Sequence, residues 1–334
     1  MPDATALWFA GPREVELRSE AVPEPQQGEV TVQTLYSAIS QGTELLAYRG
    51  QIAASLPLDL PSLRGSFGFP LKYGYACVGR VVRAGPGVRL EPGTTVFVLH
   101  PHQSAFTIPV ASAVPLPAGV PALAGVFTAN LDTAVNVVLD AAPRLGETAV
   151  VFGLGTVGLL VALLLQHVGA GCVIGVDPAT SRREAAQRTG LEPVLAPGPE
   201  LRAGVRELTD GRLADITIEA SGVPDALQLA LDCLADEGTA LAVSWYGTKP
   251  VQLALGERFH RGRLRLRSSQ VGQIDPALRG RWDRERRLAV ALTLLPRLPL
   301  LEMVSHRFPL SQAAEAYQLV DQAPPACQQV VFEY

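Results

Sequence analysis

Hydrophobic positions follow two patterns along the chain, and the change between them predicts two structural units. Up to about residue 118, short β-branched and apolar runs alternate with turns that contain Gly and Pro, which predicts an all-β unit. From Pro121 to Ala142 apolar residues recur at helical spacing, so we expect a bridging helix there. The Pro-rich stretch Pro57–Pro61 is expected to form a loop. The clearest predicted strands are Val30–Tyr36, Ala76–Ala84, Thr95–Leu99 and Phe106–Val110.

Beyond the bridging helix, short apolar strands alternate with helices. The predicted strands are Thr148–Phe152, Cys172–Val176, one near Val194, Asp215–Ala220, Thr239–Val243 and Leu264–Ser269. The predicted helices between them are Leu159–Val168, Ser181–Arg188, Leu201–Leu208 and Ala226–Leu234. Six strands with crossover helices predict an α/β unit with a doubly wound parallel sheet, a Rossmann dinucleotide-binding domain.

The remaining C-terminal elements are expected to return to the first unit, because the six-stranded sheet is already complete. They are predicted helices at Arg284–Leu295 and Gln312–Val320 and a strand at Gln328–Phe332. The predicted domains are therefore 1–118, 119–271 and 272–334, with the first and last belonging together.

A glycine-rich turn links the first strand of the predicted nucleotide unit to its first helix. Gly153, Gly155 and Gly158 follow Phe152 at the GxGxxG spacing, which allows a tight turn, close approach of a pyrophosphate and close packing of the helix. Asp177 ends the next strand nineteen residues after Gly158, where a carboxylate can accept hydrogen bonds from both ribose hydroxyls. This arrangement favours NAD(H), with NADP(H) as an open alternative.

Further cofactor-binding candidates lie at the helix N-terminus and at the carboxyl ends of the later strands, where ligands gather in doubly wound folds. Arg182 begins the helix after Asp177 and could lie near the adenosine ribose, although a solvated arginine is the alternative. The other candidates are Thr156, Val157, Ser221, Gly222, Ser244, Ser269 and Val271.

Composition excludes several classes of function. The chain has 334 residues, 48% hydrophobic residues, 18% charged residues and a formal net charge of -4, which describes a globular protein without excess positive charge for nucleic acid or an anionic membrane. The longest apolar run, Leu159–Leu165, is too short to cross a bilayer, so we expect a cytoplasmic protein with a small-molecule substrate. Four cysteines without CxxC spacing suggest no disulfide framework and no structural zinc site.

The whole chain resembles the medium-chain dehydrogenase/reductase superfamily, of the alcohol dehydrogenase-like type. The landmarks are SAISQGTEL at Ser37–Leu45, GYACVGRVV at Gly74–Val82, Thr128–Val135, the GLGTVG turn and EASG at Glu219–Gly222. The resemblance implies a GroES-like, β-rich catalytic domain beside the Rossmann domain, and a homodimer. It also implies that the ends of the fifth and sixth strands flank the nicotinamide.

The sequence departs from zinc-bearing members at both places where they hold catalytic metal ligands. Ser40 or its neighbour stands where the resemblance implies a cysteine, and Tyr75 and Ala76 follow Gly74 where it implies a His-Glu pair. The four-cysteine lobe is also missing, so no zinc is expected. A narrower resemblance, to the zinc-lacking branch that includes bacteriochlorophyllide hydroxyethyl dehydrogenases, rests on Ser40–Glu44 and His100–Gln103.

Without zinc, hydroxyl, phenol or imidazole groups must polarise a carbonyl or accept an alcohol proton. The resemblance implies that Thr43, or Ser40 through a shifted register, takes the place of a proton-relay hydroxyl, with local turn formation as the alternative. Tyr75 takes the place of a metal ligand and could donate to a substrate oxygen, or it could pack in the core. Glu44 could organise the site, or lie at the surface.

Two histidines complete the catalytic candidates. His100 and His102 flank Pro101 after a predicted strand, and either could carry a proton or serve a structural role. Metal binding is disfavoured, because two ligands do not make a site. Trp245 and Tyr246, after the fifth strand, are candidates for the wall of a substrate pocket, or ordinary core residues.

Together these features predict a zinc-independent oxidoreductase that transfers a hydride between NAD(H) and a secondary alcohol or ketone. An NADPH-dependent quinone or enone reductase is an alternative within the same fold. A catalytically silent nucleotide-binding protein that lost its metal is the alternative from another class.

Overall fold

The computed structural model describes residues 3–58, 60 and 63–334. They form two compact units, Met1–Ala129 with Leu292–Tyr334 (unit 1) and Asn130–Ala291 (unit 2). Both boundaries fall later in the chain than the expected boundaries after residues 118 and 271. Asp59 and Pro61, within the predicted loop Pro57–Pro61, lie outside the described residues.

The predicted strands and helices occur in the predicted order, together with further elements that include α1 and β14. The strands are β1 Ala4–Gly11, β2 Glu14–Glu20, β3 Glu29–Ala38, β4 Cys77–Ala84, β5 Thr95–Val98, β6 Ala105–Pro109, β7 Val114–Pro115, β8 Thr148–Phe152, β9 Cys172–Val176, β10 Val194–Leu195, β11 Ala214–Glu219, β12 Leu234–Ala242, β13 Arg265–Ser268, β14 Val304–Pro309 and β15 Gln329–Glu333. The helices are α1 Thr43–Tyr48, α2 Ala122–Gly125, α3 Thr128–Ala141, α4 Thr156–His167, α5 Thr180–Arg188, α6 Leu201–Leu208, α7 Pro224–Asp232, α8 Arg284–Leu294 and α9 Ala313–Gln322.

Unit 1 is built on a mainly antiparallel sheet in which β15 returns to pair with β3. The sheet runs β14-β15-β3-β4-β5-β7, with β6 also on β3, and β1 pairs separately with β2. Leu7, Phe9 and Phe332 are fully buried and pack in one core with Tyr48 and Tyr317. The C-terminal strand therefore completes the first unit, as expected from the sequence.

The expectation of an all-β first unit is wrong at α1. This short helix contains Leu45 and Leu46, both buried in the core of unit 1, and its first turn carries Glu44. A six-residue helix is too short to show a helical period, so the pattern of apolar positions did not reveal it.

Unit 2 contains the predicted doubly wound sheet. Its strand order is β10-β9-β8-β11-β12-β13, all pairs are parallel, and all lie within 148–268, a range described throughout. All five residues of β8 are buried, as its uninterrupted apolar sequence requires for a strand covered on both faces. The strand order reverses at β8, between β9 and β11, where such folds bind dinucleotides.

Two predicted helices have different bounds in the structure. The bridging helix breaks into α2 and α3, and the Thr128 hydroxyl donates to the Gly125 carbonyl at 2.7 Å across the break. Helix α4 begins at Thr156 rather than after Gly158, because the Gly155 carbonyl already accepts the Leu159 N–H at 2.9 Å. Gly158 is therefore a helical residue inside the first turn of α4.

Candidate active site

The glycine turn after β8 has the geometry that a pyrophosphate requires. Gly153 has a φ of +91°, and a Cβ on it would lie 2.6 Å from the Ser221 Cα. A Cβ on Gly158 would overlap the Gly153 carbonyl oxygen, so this glycine lets α4 pack against the turn. A Cβ on Gly155 would instead meet only the Arg182 Nη1, at 3.9 Å. The space at Gly155 is open, so the turn fits a dinucleotide phosphate.

Helix α4 directs its N-terminus at this turn. Thr156 and Val157 are its first two residues, and Gly155 is its N-cap with an extended ψ of -175°. The first N–H groups of an α-helix have no acceptor within the helix and carry partial positive charge. An anion is therefore favoured at this helix terminus.

Asp177 lies at the end of β9, with its side chain on the glycine turn. It is 2% exposed, and its Oδ2 accepts the Leu154 N–H at 2.8 Å while its Oδ1 accepts the Ala179 N–H at 2.9 Å. Arg182 Nη1 lies 3.7 Å from Oδ2. A carboxylate offers about four lone pairs, of which two accept these backbone bonds while Arg182 lies against Oδ2. Asp177 therefore secures the turn, and a ribose would use the acceptor capacity that its carboxylate has left.

A buried glutamate organises the edge after β11 and β12. Glu219 is fully buried, and its Oε1 accepts the Ser221 N–H at 2.7 Å and hydroxyl at 2.5 Å. Its Oε2 accepts the Tyr246 hydroxyl at 2.5 Å, and burial together with this carboxylate raises the pKa of Tyr246. The Ser244 hydroxyl accepts the Gly222 N–H at 2.8 Å. The structure therefore brings four predicted residues together around Glu219.

Trp245 precedes Tyr246 in the sequence, but its side chain is more exposed than that of Tyr246. Its side chain is 42% exposed, whereas Tyr246 is half-buried and bound to Glu219. Only Trp245 of the two predicted pocket residues therefore presents a large apolar surface to solvent. The role of Glu219 had no signal in the hydrophobic pattern, because a single acid at a strand end is an ordinary feature.

Ser269 and Val271 follow β13 and make polar contacts within unit 2. The Ser269 hydroxyl donates to Asp140 at 2.6 Å, and the Val271 carbonyl accepts from Arg287 at 2.7 Å. The side chain of Ser269 is thereby directed into unit 2 rather than towards a ligand.

A pair of hydroxyl groups from distant parts of the chain meets in unit 1. Tyr75 donates its phenolic hydrogen to the Ser40 hydroxyl, and the Ser40 N–H donates to Glu44 Oε2 at 3.2 Å. Both Tyr75 and Ser40 are half-buried. Gly74 before the tyrosine has a φ of +127°, and a Cβ there would lie 2.9 Å from the His102 ring. Gly74 therefore permits the close approach that places Tyr75 beside this cluster.

Glu44 and His102 form a fully buried network behind the hydroxyl pair. His102 Nε2 lies 2.9 Å from Glu44 Oε1, and the Tyr317 hydroxyl donates to the same oxygen. His102 Nδ1 lies 2.6 Å from the Ser37 hydroxyl, which also bonds to the Tyr334 hydroxyl at 2.8 Å. Burial raises the pKa of Tyr317 well above its ordinary value, and Glu44 raises it further.

Ser37, His102 and Glu44 have the connectivity of a Ser-His-acid triad. All three side chains belong to residues with no exposed surface, so Ser37 cannot reach a substrate as a nucleophile. The network instead orients Glu44, whose second oxygen holds Ser40.

His100 and Thr43 take no part in the hydrogen bonds that join this hydroxyl pair to Glu44. His100 stacks on Phe106 with ring centroids 3.6 Å apart, and its Nδ1 contacts the Pro101 carbonyl at 2.9 Å. Burial lowers the pKa of His100 to about 3, so it is neutral and structural. Thr43 is the half-buried first residue of α1, and the bonds that join Tyr75, Ser40 and Glu44 do not pass through it.

The side chains at this centre do not fit a zinc ion. Among residues 3–58, 60 and 63–334, no group of three or more His, Cys, Asp or Glu side chains could hold a metal. Cys77 is buried with its thiol directed at the carbonyls of His100 and Pro101, and burial raises its pKa. Ser40 and Tyr75 offer hydroxyls, which are poor ligands for Zn²⁺ beside thiolate and imidazole.

Comparisons with known proteins agree with this architecture. Residues 156–289 match the model of the zinc-binding dehydrogenase family. The chain is 28% identical to the 2-desacetyl-2-hydroxyethyl bacteriochlorophyllide A dehydrogenase of Cereibacter sphaeroides over 99% of this chain and 98% of that protein. Both findings relate this chain to zinc-type, alcohol dehydrogenase-like proteins of the medium-chain dehydrogenase/reductase superfamily. Its relatives are named dehydrogenases, which supports an NAD(P)-dependent oxidoreductase.

Solved structures of this superfamily share the fold over the full chain. A short chain alcohol dehydrogenase from Escherichia coli, complexed with NADH, has a TM-score of 0.80 at 18% identity and covers 100% of both chains. A zinc-binding dehydrogenase from Sinorhizobium meliloti, bound to NADP, has a TM-score of 0.81 at 18% identity, also over 100% of both chains. Within the described part of this chain, no helix is both long enough and apolar enough to cross a membrane.

Proposed function

We propose that this dehydrogenase transfers a hydride between NAD(H) and a secondary alcohol or ketone of a small organic molecule without zinc. The observation that carries the proposal is the Tyr75–Ser40 hydroxyl pair, which stands where the family resemblance implies zinc ligands. Unit 1 supplies these polar groups for a substrate oxygen, and unit 2 supplies the nucleotide turn.

The Tyr75 hydroxyl is the group that binds the substrate oxygen in this proposal. In the structure the phenolic hydrogen is directed at Ser40, so it must turn to a ketone oxygen to act on it. There it can donate a hydrogen bond as negative charge develops and then transfer its proton, which leaves a phenolate; in the reverse direction the phenolate form accepts the proton of the alcohol. Ser40 accepts from Tyr75 and is held through its own N–H by Glu44. A nicotinamide cofactor held by unit 2 would supply or accept the hydride, while Tyr75 and Ser40 orient the substrate oxygen and its proton.

Glu44 and His102 are positioning residues in this scheme. The backbone N–H of Ser40 cannot pass a proton to Glu44, so the buried network does not continue the relay. It sets the orientation of Ser40, and Ser40 sets that of Tyr75.

Asp177 supports the choice of NAD(H), since its carboxylate repels a 2′-phosphate and has lone pairs for ribose hydroxyls.

Arg182 supports a second candidate, an NADPH-dependent quinone or enone reductase. Its guanidinium lies 3.7 Å from Asp177 and would both offset the acid and pair with a 2′-phosphate. Dissociation constants of NADH and NADPH separate the two, and a clear preference for NADPH would exclude the first.

The decisive experiment combines metal analysis with a substrate screen. The protein is dialysed against a chelator, its zinc content is measured, and NAD⁺ reduction is followed with a panel of secondary alcohols and NADH oxidation with the matching ketones. We expect turnover without zinc. Activity that appears only with stoichiometric zinc would overturn the metal-free mechanism, and cofactor binding without turnover across the panel would favour a silent nucleotide-binding protein.

A further inference from the structure

Unit 2 contains a cluster of charges, buried at Arg287 and Asp140, that none of the proposed chemistry uses. It joins three elements that are distant in sequence: helix α3, the segment that follows β13, and helix α8. Its charged members, which we call the charge cluster, are Asp132, Asp140, Arg267, Asp275 and Arg287, with Asn136 and Ser269 between them.

Arg287 is the centre of the charge cluster and is only 3% exposed. Its Nε and Nη2 donate to the two carboxylate oxygens of Asp132, at 2.8 and 2.7 Å. Its Nη1 donates to Asn136 Oδ1 and to the Val271 carbonyl, both at 2.7 Å. One guanidinium therefore ties the backbone after β13 to helix α3.

Asp140 fastens the same segment one turn further along α3. Its Oδ2 accepts the Ser269 hydroxyl at 2.6 Å and the Asn136 amide at 3.0 Å, and its Oδ1 accepts Arg267 Nη2 at 2.8 Å. Residues 269–271 are thus held through both a side chain and a carbonyl.

Stability alone does not explain this arrangement. Desolvation of buried charges is costly, and apolar residues of similar volume often give equal or greater stability. A rigid, geometrically specific clamp on a loop is instead useful where that loop must present its backbone to a ligand.

The position of the segment identifies that ligand. A doubly wound sheet consists of two mononucleotide-binding halves, and ligands lie at the carboxyl ends of its strands. The glycine turn and Asp177 belong to the half formed by β8, β9 and β10, whereas residues 269–271 follow β13 at the edge of the other half. If the adenosine and pyrophosphate bind at the glycine turn and Asp177, a dinucleotide bound across the crevice would place its nicotinamide end in that other half.

We propose that Arg287 is a positioning residue that fixes the backbone of residues 269–271 for the nicotinamide half of the cofactor. This inference rests on the proposed use of NAD(H). It separates the two ends of the cofactor: Arg287 acts on nicotinamide recognition, while the turn and Asp177 hold the adenosine and pyrophosphate.

The test compares NADH with ADP-ribose, which lacks the nicotinamide, by titration calorimetry on the full chain. In Arg287→Lys the charge remains, but an ammonium cannot bridge Asp132, Asn136 and Val271 together. We expect the NADH dissociation constant to rise about tenfold while that of ADP-ribose changes less than about twofold, because only the nicotinamide contacts lose their support. In Arg287→Lys the fluorescence of bound NADH should also approach that of free NADH, because the nicotinamide is held less firmly.

Arg265→Lys is the matched control, because Arg265 lies on β13 but is exposed, and its pairing with Glu237 at 3.5 Å lies outside the charge cluster. It should leave both ligands unaffected. If Arg287→Lys fails to fold, Asp132→Asn weakens the same clamp more gently and should show the same selective loss. Equal weakening of NADH and ADP-ribose, or no change in either, would overturn the role of Arg287. Failure of the unmodified protein to bind NADH would instead overturn the proposed function itself.

Discussion

Substitution by alanine should affect Gly155 and Gly158 of the nucleotide turn differently. At Gly155 it should weaken cofactor binding, and at Gly158 it should lower stability. Gly155→Ala adds a Cβ whose nearest contact is a flexible arginine tip at 3.9 Å, whereas Gly158→Ala places its Cβ against a backbone carbonyl. Both residues have negative φ, so neither change meets a conformational penalty of the left-handed region. The two variants therefore differ mainly in the space around the added Cβ, with smaller contributions from the N-cap preference at Gly155 and the helix propensity at Gly158.

The magnitudes follow from those contacts. In Gly155→Ala the loss of a favourable N-cap glycine, about 0.5–1 kcal/mol, is offset by about 0.4–1 kcal/mol from a less flexible unfolded chain. Stability should change little, but the methyl group lies where a pyrophosphate would approach, and NADH affinity should fall about tenfold or more. In Gly158→Ala the Cβ would lie 3.0 Å from the Gly153 carbonyl carbon and closer to its oxygen, so α4 must move. We expect a loss of about 3 kcal/mol, or about 6–12 °C in Tm for a unit of this size.

Thermal unfolding followed by circular dichroism measures the first quantity, and calorimetric titration with NADH measures the second. Gly42→Ala is a control in the same protein, because no described atom lies within 4 Å of a Cβ at that position. A Gly158→Ala variant that melts with the unmodified protein would refute the close approach of α4. Normal NADH binding by Gly155→Ala would show that the turn does not hold a pyrophosphate.

Three further predictions concern single side chains. Tyr75→Phe should lower turnover about a hundredfold while NADH affinity is unchanged, since one donor to the substrate oxygen is lost. Tyr36→Phe is the control. Full activity of Tyr75→Phe would show that the Tyr75 ring serves only in packing. Asp177→Ala should weaken NADH binding at least about tenfold, as measured by titration, because the ribose loses charge-assisted acceptors and the Leu154 N–H loses its partner. The pKa of His100 is about 3 in the fold, below its ordinary 6.5, so the unfolded chain binds its proton first and stability falls as pH drops from about 6.5 towards 3. The free energy of unfolding, measured in urea, should fall between pH 6.5 and pH 5 by about 2 kcal/mol less in His100→Leu than in the unmodified protein. Equal falls in the two proteins would contradict this.

Local features of the chain were predictable because their causes are local. The uninterrupted apolar run of β8 and the glycine spacing after it specify a buried strand and a tight turn through backbone sterics and burial alone. Helix α6 was predictable from its local sequence as well, and its observed bounds Leu201–Leu208 agree with the predicted helix. The sixth parallel strand and the C-terminal return of β15 followed from counting such elements.

The unit boundaries were not predictable in this way, because they depend on packing. Gly125 brings α2 against Leu116 and Val78, which attaches the predicted start of the nucleotide domain to unit 1. Arg287 binds Asp132, which attaches most of α8 to unit 2. Neither contact leaves a periodic signal in the chain.

The polar networks show the same limit at the candidate site. Glu44 meets a tyrosine 273 residues away, and Arg287 meets an aspartate 155 residues away. A lone charged residue has the same appearance in a sequence whether it ends in solvent or in a buried pair, because the cost of its burial is compensated only by a partner that folding brings to it. The glycine turn was therefore evident from the chain, whereas the organisation of Tyr75 by Ser40, Glu44 and His102 arises only when the sheet of unit 1 has formed.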